Sequence, residues 1–283
     1  MAQQSLSLDR RVLGIDVLPR ALRWRVLTQK YIALAILLTG RAAVVDLGHV
    51  KFRARDISDL GVLQSCLVDI YEELVISGAL EASGSQTIVD IGANVGQFSA
   101  AVKLLCPKSS VIAFEPDPDV FELLQNNLAC LPSVQVRCLA LGSTSVQLPL
   151  YRHKMSIFSS LRPTIPVYDM DNTVDVEVWR LDDVFSSDNM NIDLLKIDVE
   201  GFELEVLVGA VKTLANTRYL LVEIGLEREC DGINLDVLSL VKQVAPDARI
   251  MRFGRPLGTA RHPICQDVLI ELHATSPGRL MPR

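Results

Sequence analysis

Three charged side chains, Lys196, Asp198 and Glu200, occupy alternate positions in the segment 194–201, which reads L-L-K-I-D-V-E-G. Alternate residues of a β-strand share one face, so Lys196 and Asp198 point the same way and Glu200 follows where the strand ends. A carboxylate in this place can orient a hydroxyl and take its proton during group transfer, provided that burial raises its pKa. The same spacing also suits an ion pair from Lys196 to either carboxylate that only shapes the strand end. We name Asp198, Glu200 and Lys196 as candidate catalytic residues.

A glycine-containing loop follows an earlier apolar strand. Residues 87–98 read T-I-V-D-I-G-A-N-V-G-Q-F, which predicts a strand, a tight turn and the start of a helix. Gly92 and Gly96 allow a close backbone approach to a ligand, and the free N–H groups of the first helical turn suit a carboxylate or a phosphate. Asn94 stands where the dinucleotide fingerprint G-x-G-x-x-G has its middle glycine, which weakens the case for pyrophosphate binding.

An acidic residue, Glu115, closes the next predicted strand in the sequence V-I-A-F-E-P. Its carboxylate can accept hydrogen bonds from both ribose hydroxyls of an adenosine. Either feature alone is common, but the order strand, glycine loop, helix, strand and acid indicates an adenosine-containing ligand. NAD(P) is one such ligand, so an NAD(P)-dependent oxidoreductase stays open, although the chain has neither G-x-G-x-x-G nor Tyr-x-x-x-Lys.

Several motifs together resemble those of the FkbM family of class I S-adenosylmethionine-dependent methyltransferases. D-I-G-A-N-V-G at 90–96 and F-E-P-D at 114–117 resemble the first two motifs of the class. Three further pieces narrow the likeness to FkbM: R-L-D-D at 180–183, I-D-L-L-K-I-D-V-E-G-F-E at 192–203 and L-x-G-A at 207–210. The resemblance implies methylation of a hydroxyl on a small molecule, a polyketide or a saccharide.

The resemblance covers residues 60–270 and implies a role for each motif. The methionine carboxylate of the cofactor would lie on the loop amides, Asp90 would accept from its ammonium, and Glu115 would hold the ribose. Adenine would rest just after the third strand, and the strand with Lys196 and Asp198 would end beside the transferred methyl group. The implied cofactor-binding residues are Asp90, Gly92, Ala93, Asn94, Gly96, Glu115, Pro116, Leu139 and Ala140.

Metal binding is a weaker interpretation of the same region. Asp198 and Glu223 each lie at or near a predicted strand end and could converge, but a magnesium site needs several oxygen ligands and the sequence offers no third. We therefore assign no metal. His153, in the loop between the third and fourth strands, is the next candidate base if neither carboxylate serves. We expect the long insertion 143–190 to select the acceptor, because loops on a rigid scaffold carry specificity.

Strands and helices alternate after residue 86, and these elements must position the site. Uniformly apolar strands that alternate with helices indicate a mainly parallel sheet covered on both faces. We predict a Rossmann-like class I methyltransferase fold for residues 81–283, with a seven-stranded sheet, and a helical extension with a short hairpin for residues 1–80. The predicted strands are 87–91, 111–114, 134–139, 193–197, 219–224, 248–253 and 267–272. The predicted helices are 1–40, 59–78, 97–105, 118–129, 203–215 and 234–244, and the hairpin is 43–53.

The composition narrows the partners and the compartment. With 28 Lys and Arg against 34 Asp and Glu, the net charge is −6, which argues against a nucleic-acid binder that works by phosphate neutralisation. The first 55 residues are basic and could contact an anionic membrane surface, but the apolar run 31–39 is too short to span a bilayer. No secretory signal is visible, and six Cys without metal-binding spacing suit a reducing cytoplasm. The oligomeric state stays open.

The sequence therefore favours an S-adenosylmethionine-dependent O-methyltransferase over two alternatives. One is the NAD(P)-dependent oxidoreductase, which shares the glycine loop and the acidic residue. The other is a protein that binds an adenosine-containing ligand without catalysis. Titration with each cofactor separates the first two, and turnover of hydroxylated acceptors separates the third. The sequence does not name the acceptor.

Overall fold

The computed structural model describes residues 18, 20–152, 159–161, 172–186, 190–225, 233–253, 257–259 and 262–273. The helices in this part of the chain are α1 (Arg20–Leu37), α2 (Ile57–Asp69), α3 (Gln97–Leu105), α4 (Pro118–Leu128), α5 (Leu181–Val184), α6 (Glu203–Val208), α7 (Val211–Leu214) and α8 (Ile233–Val244), and a π-helical turn (Ile70–Val75) continues α2. The strands are β1 (Ala43–Asp46), β2 (Lys51–Ala54), β3 (Thr87–Ile91), β4 (Ser110–Phe114), β5 (Val134–Arg137), β6 (Ala140–Leu141), β7 (Val146–Tyr151), β8 (Thr173–Trp179), β9 (Ile192–Ile197), β10 (Thr217–Gly225), β11 (Arg249–Phe253), β12 (Leu257–Thr259) and β13 (His262–Glu271).

The central sheet has the strand order β11-β13-β10-β9-β3-β4-β5, and short β12 pairs with β13. Neighbouring strands from β10 to β5 are parallel, whereas β13 runs antiparallel to β10 and β11. The predicted seven strands and their mainly parallel arrangement are confirmed. The chain proceeds from β3 toward β5 on one side and later from β9 toward β10 on the other. Ligands of such sheets bind at this reversal, beyond the carboxyl ends of β3 and β9.

Helices cover both faces of the sheet, as predicted. Neighbouring residues of β3 belong to different buried clusters: Ile88 packs with α1 to α4, and Val89 packs with α5 to α8. The predicted helix 203–215 is instead two short helices separated at Gly209. The carbonyl of Gly209 accepts from the backbone N–H of Asp182, and a Cβ on Gly209 would stand 1.9 Å from the carbonyl oxygen of Gly142. The close contact with these two segments accounts for the break.

A second sheet of order β6-β8-β7 lies beside the central one. The predicted third strand, 134–139, ends early at Arg137, and the chain then enters this sheet at Ala140. The sequence T-V-D-V-E-V-W at 173–179 alternates polar and apolar residues, and Val176 and Val178 are buried. This period-two pattern is the signal of a half-buried strand, and it is the local sequence signal for β8, which the predicted strands do not include.

The N-terminal segment packs directly onto the central sheet and its helices. The helix α2 contacts α3, and β2 contacts α4, where the Asn127 side-chain oxygen accepts from the backbone N–H of Arg53 at 2.8 Å. One continuous buried cluster includes residues from both sides of position 80, and the domain boundary there stays a prediction. The predicted helix 59–78 ends as the π-helical turn, and residues 1–17 lie outside the described part of the chain. No described helix is both long and apolar enough to cross a bilayer.

Candidate functional site

A cavity of about 400 Å³ lies beyond the carboxyl ends of β3, β4 and β9. It brings together most of the residues singled out in the sequence, although they come from four separate segments. Those that line it are Gly92, Ala93, Asn94, Glu115, Pro116, Leu139, Ala140, Lys196, Asp198 and Glu200. Asp90 and Gly96 are not among the lining residues. His153 lies outside the described residues, so its place relative to the cavity stays a prediction.

The glycine loop is packed against the end of β9. Gly92 has a φ of +77°, and a Cβ there would stand 1.8 Å from the carbonyl oxygen of Asp198. Protein backbone therefore takes the space that a side chain at position 92 would need, and contact of Gly92 with the cofactor stays a prediction. A Gly92 variant would test the packing of two loops as well as cofactor contact. Gly96, at the start of α3 with φ +94°, is less crowded: a Cβ there would stand 3.0 Å from a side-chain methyl of Leu124 and 3.3 Å from Leu128.

Asp90 lies beneath the cavity. Its side chain is fully buried, accepts from Ser99 Oγ at 2.7 Å and lies 3.4 Å from Lys196 Nζ. The register of β3 and β9 pairs Asp90 with Lys196 directly. Asp90 does not line the cavity, and its contact with the methionine ammonium stays a prediction. In the structure Asp90 acts as a buried counter-charge for Lys196.

Lys196 links the two strand ends. Its Nζ lies 3.1 Å from Asp198 Oδ2 as well as 3.4 Å from Asp90 Oδ1, and it stands 5.4 Å from the ring centroid of Phe98. Burial lowers the pKa of this lysine, but the nearby carboxylates of Asp198 and Asp90 outweigh burial, so the net shift is upward. Lys196 therefore stays protonated and serves to hold Asp198. The ion pair that the spacing allowed is present.

Glu200 sits in a loop of unusual backbone conformation. Its φ is +52°, and that of Gly201 is +95°. Glu203 Oε1 holds this loop by accepting from the N–H groups of Val199 and Gly201, each at 3.1 Å, and Ser160 Oγ donates to the Glu200 carbonyl at 2.6 Å. A positive φ in a residue other than glycine persists only where its surroundings enforce it, so three separate contacts determine where the Glu200 carboxyl lies.

The Glu200 carboxyl is also crowded by other acids. Burial raises its pKa well above the usual value, and the charges of Asp198 and Glu223 raise it further. One oxygen from each of Asp198, Glu200 and Glu223 lies within 4.8 Å of the others. Glu223 was expected to converge with Asp198, and Glu200, already a candidate catalytic residue, is the third carboxyl that the metal interpretation lacked. The crowding of these three carboxyls is one physical cause of the raised pKa of Glu200, and metal binding at this cluster stays a prediction.

Glu115 is placed differently at the end of β4. It is 8% exposed, and its two oxygens accept from the backbone N–H groups of Asn94 at 2.9 Å and Asp117 at 3.0 Å. Burial raises its pKa to about 7, against the opposing effect of these two hydrogen bonds, and the charges of Asp117 and Asp90 add to the increase. The backbone donors fix the carboxylate on the cavity wall next to the glycine loop.

Two further walls complete the cavity. The second sheet and its neighbours contribute Leu141, Leu150 and 159–161, and all of these except Leu141 lie in the insertion 143–190 where acceptor selection was expected. The other wall comes from α2 and the π-helical turn, with Val62, Ser65, Cys66, Ile70 and Leu74. We had assigned this segment to an extension apart from the catalytic domain. Its apolar helical face was visible in the sequence, but nothing local shows that part of that face borders a cavity.

Comparison with known proteins adds to this geometry. The family model described as "Methyltransferase FkbM domain" matches residues 90–244. Methyltransferase sdnD of Sordaria araneosa is 36% identical over 153 residues, 43% of this chain and 59% of that protein. The 2-O-methyltransferase NoeI of Sinorhizobium fredii is 28% identical over 150 residues, 48% of this chain and 62% of that protein. Hexuronic acid methyltransferase AglP of Haloferax volcanii is 29% identical over 153 residues, 51% of this chain and 58% of that protein.

The chain spans about three fifths of the length of these curated relatives. The family model, in contrast, matches more than half of this chain, and its range contains the glycine loop, Glu115 and the segment 196–200. The residues that converge on the cavity are thus drawn largely from the matched region. The chain belongs to the FkbM methyltransferase family, whose cofactor is S-adenosylmethionine.

Proposed function

We propose that this chain transfers the methyl group of S-adenosylmethionine to a hydroxyl oxygen of a small molecule or a saccharide. The observation that carries the proposal is one cavity that joins the glycine loop and Glu115 to Lys196, Asp198 and Glu200. Two relatives support oxygen and saccharide chemistry by name, a 2-O-methyltransferase and a hexuronic acid methyltransferase. The FkbM assignment favours this function over an NAD(P)-dependent oxidoreductase.

The described residues fit S-adenosylmethionine. The cavity has the size usual for cofactor sites and combines apolar surface with a few polar groups. Glu115 would hold the ribose hydroxyls, the loop from Gly92 to Asn94 would hold the methionine end, and Leu139 and Ala140 would contact adenine. When bound, the cofactor supplies an electrophilic methyl group on a positively charged sulfur. The acidic lining around Asp198 is compatible with that charge.

The chain's own residues would align the acceptor and receive its proton. Lys196 holds the Asp198 carboxylate at 3.1 Å, which leaves Asp198 able to accept a hydrogen bond from the acceptor hydroxyl. Glu200, whose pKa is raised by burial and by neighbouring acids, would take the proton as the new bond forms. Alignment of the hydroxyl supplies the remainder of the rate enhancement. We assign the base to Glu200 and hydroxyl orientation to Asp198.

Calorimetric titration of the full chain tests the cofactor. We expect S-adenosylmethionine to bind and NADH not to bind, with affinity for S-adenosylmethionine weakened in Glu115→Ala and kept in the variant of an exposed residue of α4, Glu122→Ala. Formation of S-adenosylhomocysteine with a panel of hydroxylated acceptors then tests turnover. NADH binding without S-adenosylmethionine binding would contradict the proposal. Cofactor binding with no turnover of any acceptor would favour the protein that binds without catalysis.

Two sequence expectations go with this proposal. We propose that the acceptor is not a nucleic acid, because the net charge is −6 and acidic side chains line the cavity. We also propose a cytoplasmic location, for which the six cysteines without metal-binding spacing are the support. Contact of the basic N-terminal segment with an anionic membrane surface and the oligomeric state remain open.

A further inference from the structure

The cavity has one strongly apolar wall. Val62, Cys66, Ile70 and Leu74 follow one another at four-residue steps along α2 and the π-helical turn, with Ser65 as the polar member of the group. Four-residue steps put side chains on one face of a helix, and the π-helical turn carries that face on to Leu74. Phe98 of α3 lines the same cavity. This surface offers no charge to a ligand and gains free energy only by covering an apolar group.

A second part of the cavity lining is acidic. Among the described residues that line the cavity, five carry a carboxyl group and one carries an ammonium. The acids are Glu115, Asp198, Glu200, Glu223 and Asp267, and the cation is Lys196. Glu223 and Asp267 are register partners on β10 and β13, so the acidic surface extends from β9 across the sheet. Lys196 already contacts Asp90 and Asp198.

An acceptor must match both walls. An anionic acceptor would meet like charge at a few ångströms in a partly enclosed cavity, where repulsion is much stronger than in water. A hydroxyl or an ammonium would instead donate to these carboxylates. Because apolar side chains of α2 and the π-helical turn line the same cavity, an apolar body of the acceptor would gain free energy by covering them. A like-charge penalty of this kind is a common source of specificity.

We propose that the acceptor is an uncharged or cationic amphiphile, whose hydroxyl-bearing head meets Asp198, Glu200 and Glu223 and whose apolar body packs against α2 and the π-helical turn. This inference rests on the proposed function and narrows its acceptor. It also separates this chain from its relative AglP, which is named for a hexuronic acid, a substrate that carries a carboxylate. The segment 57–75, outside the family-matched range, becomes a determinant of specificity.

Four probes test the inference by calorimetry on the full chain saturated with S-adenosylhomocysteine. They are hexyl glucoside, hexyl glucosaminide, hexyl glucuronide and methyl glucoside, all below their micelle concentrations. We expect the glucoside and the glucosaminide to bind at least tenfold more tightly than the glucuronide, and hexyl glucoside to bind at least tenfold more tightly than methyl glucoside. The inference is overturned if hexyl glucuronide or methyl glucoside binds as tightly as hexyl glucoside, or if none of the probes binds.

Matched variants locate each effect. Val62→Asp should reduce the preference for hexyl over methyl glucoside at least tenfold. Val44→Asp should leave this preference unchanged, because the Val44 side chain is exposed and lies outside the cavity. Glu223→Gln should reduce the discrimination against glucuronide, and Glu122→Gln should not. Unchanged preferences in Val62→Asp or Glu223→Gln contradict the inference. Titration of each preparation with S-adenosylmethionine distinguishes failure of the acceptor class from failure of the proposed function. Normal cofactor binding with no glycoside binding refutes only the acceptor class. Absence of cofactor binding in the parent protein refutes the proposed function.

Discussion

The ends of β4 and β9 each place a buried carboxyl at the cavity, but they hold it by different contacts. Each brings a carboxyl to the cavity, Glu115 and Glu200, and burial raises the pKa of both. Glu115 is held by two backbone N–H groups that donate to its oxygens. The pKa of Glu200 is raised by burial first and then by the charges of Asp198 and Glu223, and its loop is held through backbone atoms by Glu203 and Ser160. The first arrangement fixes an acceptor of hydrogen bonds, and the second favours exchange of a proton.

The physical reason is the sign of the interaction with each neighbour. Hydrogen bonds from N–H groups stabilise the ionised carboxylate, whereas nearby negative charges stabilise the protonated acid. A carboxylate that binds ribose needs a stable position, which the two backbone donors give Glu115. A general base needs a pKa close to the working pH. The following variants test this difference between the two strand ends.

Loss of the cation at the β9 end should have the largest effect. Lys196→Met leaves Asp90 buried without its counter-charge, and breaking a buried pair on one side costs about 3–5 kcal/mol. Urea denaturation should show this decrease in the free energy of unfolding. The double variant Lys196→Met, Asp90→Asn should regain most of the loss. A single variant as stable as the parent would contradict the buried-pair assignment.

The ionisation of Glu115 should make stability depend on pH in the ligand-free protein. Its pKa is about 7 when folded, above the ordinary value of 4.5, so the folded state binds more protons between these values. Stability is therefore fully present below pH 4.5 and falls as pH rises toward 7, by about 3 kcal/mol at most. Denaturation at several pH values should show this slope in the parent and a shallower slope in Glu115→Gln. Identical slopes would mean that the environment of Glu115 does not raise its pKa.

Removal of basicity at the β9 end should decrease turnover. Glu200→Gln should lower kcat by about a hundredfold or more, the scale of a lost general base, with cofactor affinity within a few fold. In the parent, kcat should fall as pH drops through the raised pKa of Glu200, because the protonated acid cannot accept a proton. Glu200→Gln should lose this decrease of kcat at low pH, the acidic limb of the pH–rate profile.

If Asp198→Asn loses the acidic limb and Glu200→Gln keeps it, the base is Asp198. Wild-type rates in both variants would make His153 the next candidate.

Removal of the carboxylate at the β4 end should affect binding instead of chemistry. Glu115→Ala should lower the affinity for S-adenosylmethionine by about tenfold to a hundredfold, because hydrogen bonds to a charged group contribute about 1.5–3 kcal/mol. The affinity for S-adenosylhomocysteine should fall equally, since both ligands contain the same ribose. Calorimetry of the two ligands measures both. Loss of affinity for only one of them would be inconsistent with a ribose contact.

The smallest effect should come from the contact that ties the insertion to Glu200. Ser160→Ala removes the hydroxyl that donates to the Glu200 carbonyl at 2.6 Å, at a cost of about 1 kcal/mol. The acidic limb of the kcat profile should also shift, because the loop that carries Glu200 loses one of its supports. Ser99→Ala, which removes a donor to Asp90, should cost similar stability without moving that limb. If the decrease of kcat at low pH is unchanged in both variants, Ser160 does not control the position of Glu200.

Local sequence was sufficient for much of the fold. The strands that became β3, β4 and β9 are apolar throughout, and D-I-G-A-N-V-G, F-E-P-D and K-I-D-V-E-G each follow one of them directly. Strand ends on one edge of a parallel sheet must lie near one another. The order of motifs along the chain therefore predicts the main site residues and that they lie near one another at this edge of the sheet.

Tertiary packing decided how the residues are used. Gly92 is required by the carbonyl of Asp198, more than a hundred positions later, and Glu223 joins Glu200 because β10 pairs with β9. The wall from α2 faces the cavity only because α2 packs on α3. Apolar periodicity shows which side of a helix is buried, but it does not show whether that side meets protein or a cavity. Contacts between distant segments depend on strand order and crossing geometry, which no local window of sequence contains.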